Sequence, residues 1–159
     1  MKHWTDHFVE MSACRDAIAD GLRFATWEEW WMVTERADWM LWGLARIKHD
    51  PKTFRLACCA CAEYSLGNFE ALYPNDARPR RAIETARRFA IGEATIDELN
   101  SAARSAEVSA MSAAESAMWS TRSAMSATES AARSAMSAAL KDMADLVRKI
   151  IPIPPIIEE

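Results

Sequence analysis

The sequence predicts an all-α protein: a bundle of five or more helices, a long Ser/Ala-rich C-terminal helix or helical hairpin, and an extended Pro-rich tail. Three observations carry this. Helix-start signals recur along the first 94 residues, while alternating strand patterns are nearly absent. Residues 93–151 contain neither Gly nor Pro. Within that stretch eleven serines from Ser101 to Ser137 fall three or four apart, averaging 3.6. A disordered Ser-rich linker has no physical reason to keep that phase, whereas a helix of 3.6 residues per turn does.

The elements follow in order. Residues 12–24 are expected to form the first helix. "TWEEW" then supplies Thr26 as N-cap and Glu29 three residues on, a capping box satisfying two backbone donors reciprocally, so a helix is expected over 27–35. "DWMLWGLARI" offers Asp38 as the next cap before an almost wholly apolar turn and a half, the signature of a buried helix. Asp50 caps the following helix and Pro51 takes its first position, where a missing N–H costs nothing. Phe54, Ala57, Cys58, Cys61, Ala62, Leu66 and Phe69 keep helical spacing along one face. "YPNDARP" reads as a turn, and a helix over 79–90 stops at Gly92.

Thr95 and Glu98 make another capping box and start the long tract at Ile96. The tract divides into blocks of eleven, "SAARSAEVSAM", "SAAESAMWSTR", "SAMSATESAAR" and a degenerate fourth. Eleven residues over three turns keep a stripe straight or wind it slightly right-handed. Serines take one arc, alanines the next, and Met111, Met118, Met125 and Met136 a third. With Ala117 and Ala124 these methionines mark an apolar half on which a second helix, or a second copy, is expected to pack. One continuous helix over 96–150 would be roughly 80 Å long, so a fold-back near residues 119–123 is expected, with an unbroken helix in a dimer as the alternative. "IIPIPPIIEE" closes the chain as an extended tail, expected over its own bundle. The organisation is thus 1–94 as an N-terminal helical region, 95–151 as the long helix or hairpin of the same domain, and 152–159 as tail.

Composition narrows the function. Half the residues are hydrophobic and 26% charged, and the net charge is −4, whereas a dedicated nucleic-acid binder is usually basic. Cys14, Cys58, Cys59 and Cys61, without a leader-like or membrane-length apolar run, read as reduced thiols of a cytoplasmic protein. Cys58, Cys59 and Cys61 lack zinc-hairpin spacing, and His3, His7 and His49 have no ligand-type partner four residues away. They read as core cysteines; no metal and no cofactor is expected. No nucleophile elbow or glycine-rich phosphate loop is present, so no enzymatic activity is expected, and a deep pocket joining ionisable groups to Trp30 or Trp31 would be the sign of one.

Two constellations remain. Trp27, Trp30, Trp31, Trp39 and Trp42 crowd into sixteen residues; Trp39 and Trp42 are expected in the core, and one of Trp30 and Trp31 at a partner-binding rim. Residues 78–93 hold five Arg against two Glu. There Arg78, Arg80, Arg81, Arg87 and Arg88, led by Asp76, form a candidate patch for phosphates or an acidic protein surface. The plainer reading is a solvated face with Arg80–Glu84 and Glu84–Arg88 pairs, and Asp76 as a structural acceptor at the corner.

The run Tyr73-Pro74-Asn75-Asp76-x-Arg78-Pro79-Arg80, followed by Ala82, Ile83, Glu84, Ala86, Arg87 and Gly92-Glu93, resembles the Imm-5-like family of putative immunity proteins found in bacteria and phages. Asp38, Trp39 and Trp42 match as Asp-Trp-x-x-Trp. The resemblance extends from about Cys14 to Pro155 and departs in the cysteine segment, where Ala62 stands in an acidic place. It implies a helical fold and neutralisation of a toxin or defence effector by stoichiometric binding, with no catalytic residues to carry over. The expectation is therefore a non-enzymatic interaction protein, with a phosphate or nucleic-acid binder and a structural homo-oligomer as alternatives.

Overall fold

The structure, a computed structural model, describes residues 2–47, 49–121 and 128–157, with side chains outside 110–134. Eight helices are described and no strand: α1 Trp4–Glu10, α2 Arg15–Gly21, α3 Trp27–Val33, α4 Ala37–Leu44, α5 Pro51–Leu72, α6 Arg78–Ala90, α7 Ile96–Thr121 and α8 Thr128–Ile150.

Most starts obey their local chemistry. Thr26 accepts from the Glu29 amide while the Glu29 carboxylate accepts from the Thr26 amide. Asp50 accepts from the Lys52 and Thr53 amides with Pro51 at the first position. The Thr95–Glu98 box opens α7, and Gly92, at φ +82°, follows the end of α6 in the left-handed region that glycine tolerates.

The N-terminal expectations need correction. Residues 12–24 are not one helix: Ser12 sits at φ 65° between α1 and α2, and α2 covers only Arg15–Gly21 of that span. Helix α1 escapes notice because its cap is His3, whose ring accepts from the Thr5 amide while Asp6 accepts from the His3 amide. Helix α3 ends at Val33. Asp38 is not a cap but lies inside the first turn of α4, after Arg36.

The core runs between α1, α3, α4, α5 and the end of α8. Phe8, Trp27, Trp30, Trp31, Met40 and Leu44 meet Ala57 and Cys61 of α5 and Ala144, Val147 and Ile151 at the end of α8. Helix α8 packs on α4 and α5, α5 also carries α6, and α6 carries α7. Serving three neighbours, α4, α6 and α8, α5 buries Cys59 and leaves Ala62 exposed, which a single apolar stripe does not anticipate. Arg148 reaches back from α8, its Nη1 donating to Trp31 O at 3.0 Å and Thr34 O at 2.8 Å, so it caps the C-terminal end of α3. The tail lies on the bundle as expected: Ile151 and Pro154 are buried, and the Trp31 and Trp27 indoles donate to Ile151 O at 3.1 Å and Pro155 O at 3.2 Å.

The Ser/Ala tract is two helices among the described residues. Helix α7 stays helical through Thr121; residues 122–123, on which the rest of the expected fold-back falls, lie outside the described residues. Side chains of Met111, Ala117, Met118, Ala124 and Met125 are outside them too. Met136 is 66% exposed.

Candidate functional site

The corner between α5 and α6 is organised by Asp76. Its Oδ1 accepts from the Arg78 amide at 3.1 Å and from Arg78 Nε at 2.8 Å, and its Oδ2 accepts from Arg78 Nη2 at 2.7 Å and Ser109 Oγ at 2.6 Å. One carboxylate therefore holds the turn, the first residue of α6 and a buried serine of α7 together. These hydrogen bonds, from the Arg78 guanidinium first and Ser109 second, hold the Asp76 carboxyl well below the usual carboxylate range. Ser109 has no distinguishing mark in the sequence, because it is one serine of eleven in a repeat.

The neighbouring arginines are less available than their density implies. Arg80 grips Glu70 of α5 bidentately, Nε to Oε1 and Nη2 to Oε2 at 2.6 Å each. Arg87 pairs with Glu63, also on α5, and Arg88 Nη2 donates to Glu93 O at 2.8 Å with Glu98 3.8 Å away. The expected pairs with Glu84 are not the described ones: the carboxylates come from across the α5–α6 contact and from the first turn of α7. Arg55 adds a cation–π contact 4.6 Å from the Phe89 ring centroid. Arg81 is exposed, and its guanidinium has no partner among the described residues. Beside it lie Leu72, 75% exposed, and Tyr73, edging a shallow depression of about 530 Å³ that also takes in Pro74, Asn75 and Ala77.

The tryptophans reverse the expectation. Trp31 is fully buried and Trp30 nearly so, with Trp30 Nε1 donating to Asp20 Oδ2 at 2.8 Å. Neither forms a rim, because α1, α8 and the tail close over α3. Trp39 and Trp42, expected inside, are half-buried, each with an arginine on its ring: Arg36 at 3.7 Å and Arg46 at 4.8 Å from the centroids.

A second concavity, a cleft of about 500 Å³, lies among α1, α2, α3 and α4. It does bring Trp30 together with ionisable groups, Arg36 and Asp38. Behind its lining residue Thr5, whose Oγ1 is 2.8 Å from His3 Nδ1, His3 Nε2 is 3.0 Å from Phe24 O. Since a carbonyl only accepts, Nε2 carries the proton and Nδ1 accepts from Thr5. Thr5 is buried, and the arrangement caps α1.

The thiols of Cys59 and Cys61 are buried near Ile83 O at 3.9 Å and Met143 O at 3.8 Å, and burial first, with Cys58 adding to it, raises Cys61 to about 11. Among the described residues no group of three or more His, Cys, Asp or Glu side chains is placed to hold a metal ion, and no helix is long and apolar enough to cross a membrane.

Neither a curated protein nor a solved structure matches the chain. The model of the Imm-5 like putative immunity protein family matches residues 48–150, a span from just before α5 into the last turn of α8 that contains the whole Asp76 corner. That is more than half of the sequence, and the chain belongs to the Imm-5 like putative immunity protein family.

Proposed function

We propose that this chain is a non-enzymatic inhibitor working in the cytoplasm of a bacterial or phage-infected cell. It neutralises a toxin or defence effector by covering that protein's working surface in a stoichiometric complex. Family membership supports an immunity-type role in general. The observation favouring the corner is that Leu72 and Arg81 stand exposed beside the half-buried Tyr73, on a backbone pinned by Asp76, Arg78 and Ser109. Aromatic and arginine side chains dominate interface energetics, and a pinned backbone lowers the ordering cost of association. In this reading Asp76, Arg78 and Arg80 hold the corner in place, Arg87 and Arg88 flank it, and Arg81 reaches the partner.

The test is rescue of growth from the cognate toxin or effector, with affinity capture from the native host, by the chain and by a Leu72→Asp/Arg81→Glu variant. Loss of capture and rescue in a variant with unchanged melting temperature is expected. Equal rescue by both proteins would remove this surface from the proposal.

A second reading, assembly along the Ala/Met face, draws on residues 135–138 of α8, four consecutive positions that are all exposed. Light scattering of the wild type and of Ala117→Leu and Ala124→Leu variants distinguishes it. Phosphate or nucleic-acid binding through residues 78–88 is disfavoured by the carboxylates already engaging Arg78, Arg80 and Arg87. It would show as binding that weakens steeply with salt.

A further inference from the structure

The cleft among α1–α4 lies outside the segment matched to the family. Its walls are rings: Trp4, Phe8, Trp27, Trp30, Trp39 and Trp42. Trp4, Trp27 and Trp30 have already committed their indole N–H groups, to Phe24 O, Pro155 O and Asp20 Oδ2, so these three offer an occupant carbon and π surface only. The volume of about 500 Å³ falls in the range of small-molecule sites. We infer that this cleft binds a small organic ammonium ion, its apolar body against the rings and its charge toward Asp38.

The chain's own side chains show the chemistry that the wall accepts. The Arg36 guanidinium lies 3.7 Å from the Trp39 ring centroid and is clamped by Asp38, Nε to Oδ1 at 2.9 Å and Nη2 to Oδ2 at 2.6 Å. A cation on an indole face beside a carboxylate is the arrangement that recognises organic ammonium groups. The lining carries one cation, Arg36, and one carboxylate, Asp38, and Asp16 also acts electrostatically on Arg36. Residues 2–47 together carry five basic and eight acidic side chains, so the surrounding field favours a cation. Either ligand charge has to part the Arg36–Asp38 pair; a cation that does so gains the carboxylate and the Trp39 ring face that Arg36 now holds.

The test uses the indole N–H signals of the intact chain in proton–nitrogen correlation spectra, titrated with benzyltrimethylammonium, benzyl alcohol, 3-phenylpropionate and N-acetyl-lysine methylamide. Saturable shifts of the Trp39 and Trp42 signals with benzyltrimethylammonium are expected, the buried Trp31 signal staying in place as the check on fold. Benzyl alcohol and 3-phenylpropionate should bind at least about fivefold more weakly, the scale of a cation–π contact. Asp38→Asn should weaken ammonium binding about fivefold. Arg36→Gln should strengthen it, since it frees both Trp39 and Asp38; a merely structural role for Arg36 predicts no gain. Absent saturation in the wild type, equal or tighter binding of the neutral or anionic probe, or weaker binding in a folded Arg36→Gln variant would each overturn the inference. Clearly tighter binding of the blocked lysine than of benzyltrimethylammonium would overturn the small-molecule assignment in favour of a protein side chain.

Discussion

Replacing Trp31 with phenylalanine tests which tryptophans hold the bundle together. Trp31 is fully buried, and its indole donates at 3.1 Å to Ile151 O, where α8 gives way to the tail. Phenylalanine keeps a ring but loses the donor, leaving a carbonyl of a buried residue without that partner at a cost of about 1–3 kcal/mol. The smaller ring gives up roughly 40 Å² of buried apolar surface, or about 1 kcal/mol at ~25 cal/mol/Å². The sum is about 2–4 kcal/mol, a large share of the ~5–15 kcal/mol that stabilises a domain. At ~2–4 °C per kcal/mol for a chain of this size, the melting temperature should fall by roughly 4–16 °C. Trp39→Phe is the control: Trp39 is half-buried with no described partner for its N–H, and the same change there should cost about 1 kcal/mol or less. Thermal unfolding followed by circular dichroism reads both. A Trp39→Phe loss equal to or larger than that of Trp31→Phe would refute the assignment of α3 to the interior and with it the seating of the tail.

Other expectations follow from the same contacts. Gly21→Ala should destabilise by about 1–3 kcal/mol, because a Cβ there would sit 2.8 Å from Thr5 Cγ2 and from Trp4 Cη2. Gly67→Ala, in α5 with open space around it, should stabilise by about 0.5–1 kcal/mol; denaturation midpoints compare the two. The folded Cys61 thiol ionises at about 11 against an ordinary 9.0. Between those pH values the native chain keeps a proton that the unfolded chain releases, so stability falls as pH rises, and Cys61→Ala should flatten that slope. Asp76 has the opposite sign: its folded carboxyl is depressed below the ordinary 3.8, so its contribution is present above that pH and is lost as acid protonates it. Asp76→Asn should accordingly be less stable at neutral pH and lose less on acidification than the wild type, as acid titrations of unfolding would show.

Local chemistry determined much of this protein from the sequence. The capping boxes at Thr26 and Thr95, Asp50 before Pro51, and Gly92 at the end of α6 are short-range hydrogen-bond and dihedral solutions, so they are legible residue by residue. The helical phase of the Ser/Ala tract and the corner motif belong to the same class. His3 as the cap of α1 is not legible in the same way, because a histidine cap carries no familiar signature.

Tertiary contact decided the rest. Whether Trp31 or Trp39 lies inside depends on where Ile151 lays its backbone carbonyl and Arg148 its guanidinium, more than a hundred residues away. Arg80 and Arg87 turned from a surface patch into interhelical clamps because α5 presents Glu70 and Glu63 opposite them, a register that helix spacing alone does not specify. Ser109 became a partner of Asp76 only through the docking of α7 on α6. Periodicity places a side chain on a face of its own helix; only the packing of the helices says what that face meets, and so which charges remain free for a partner.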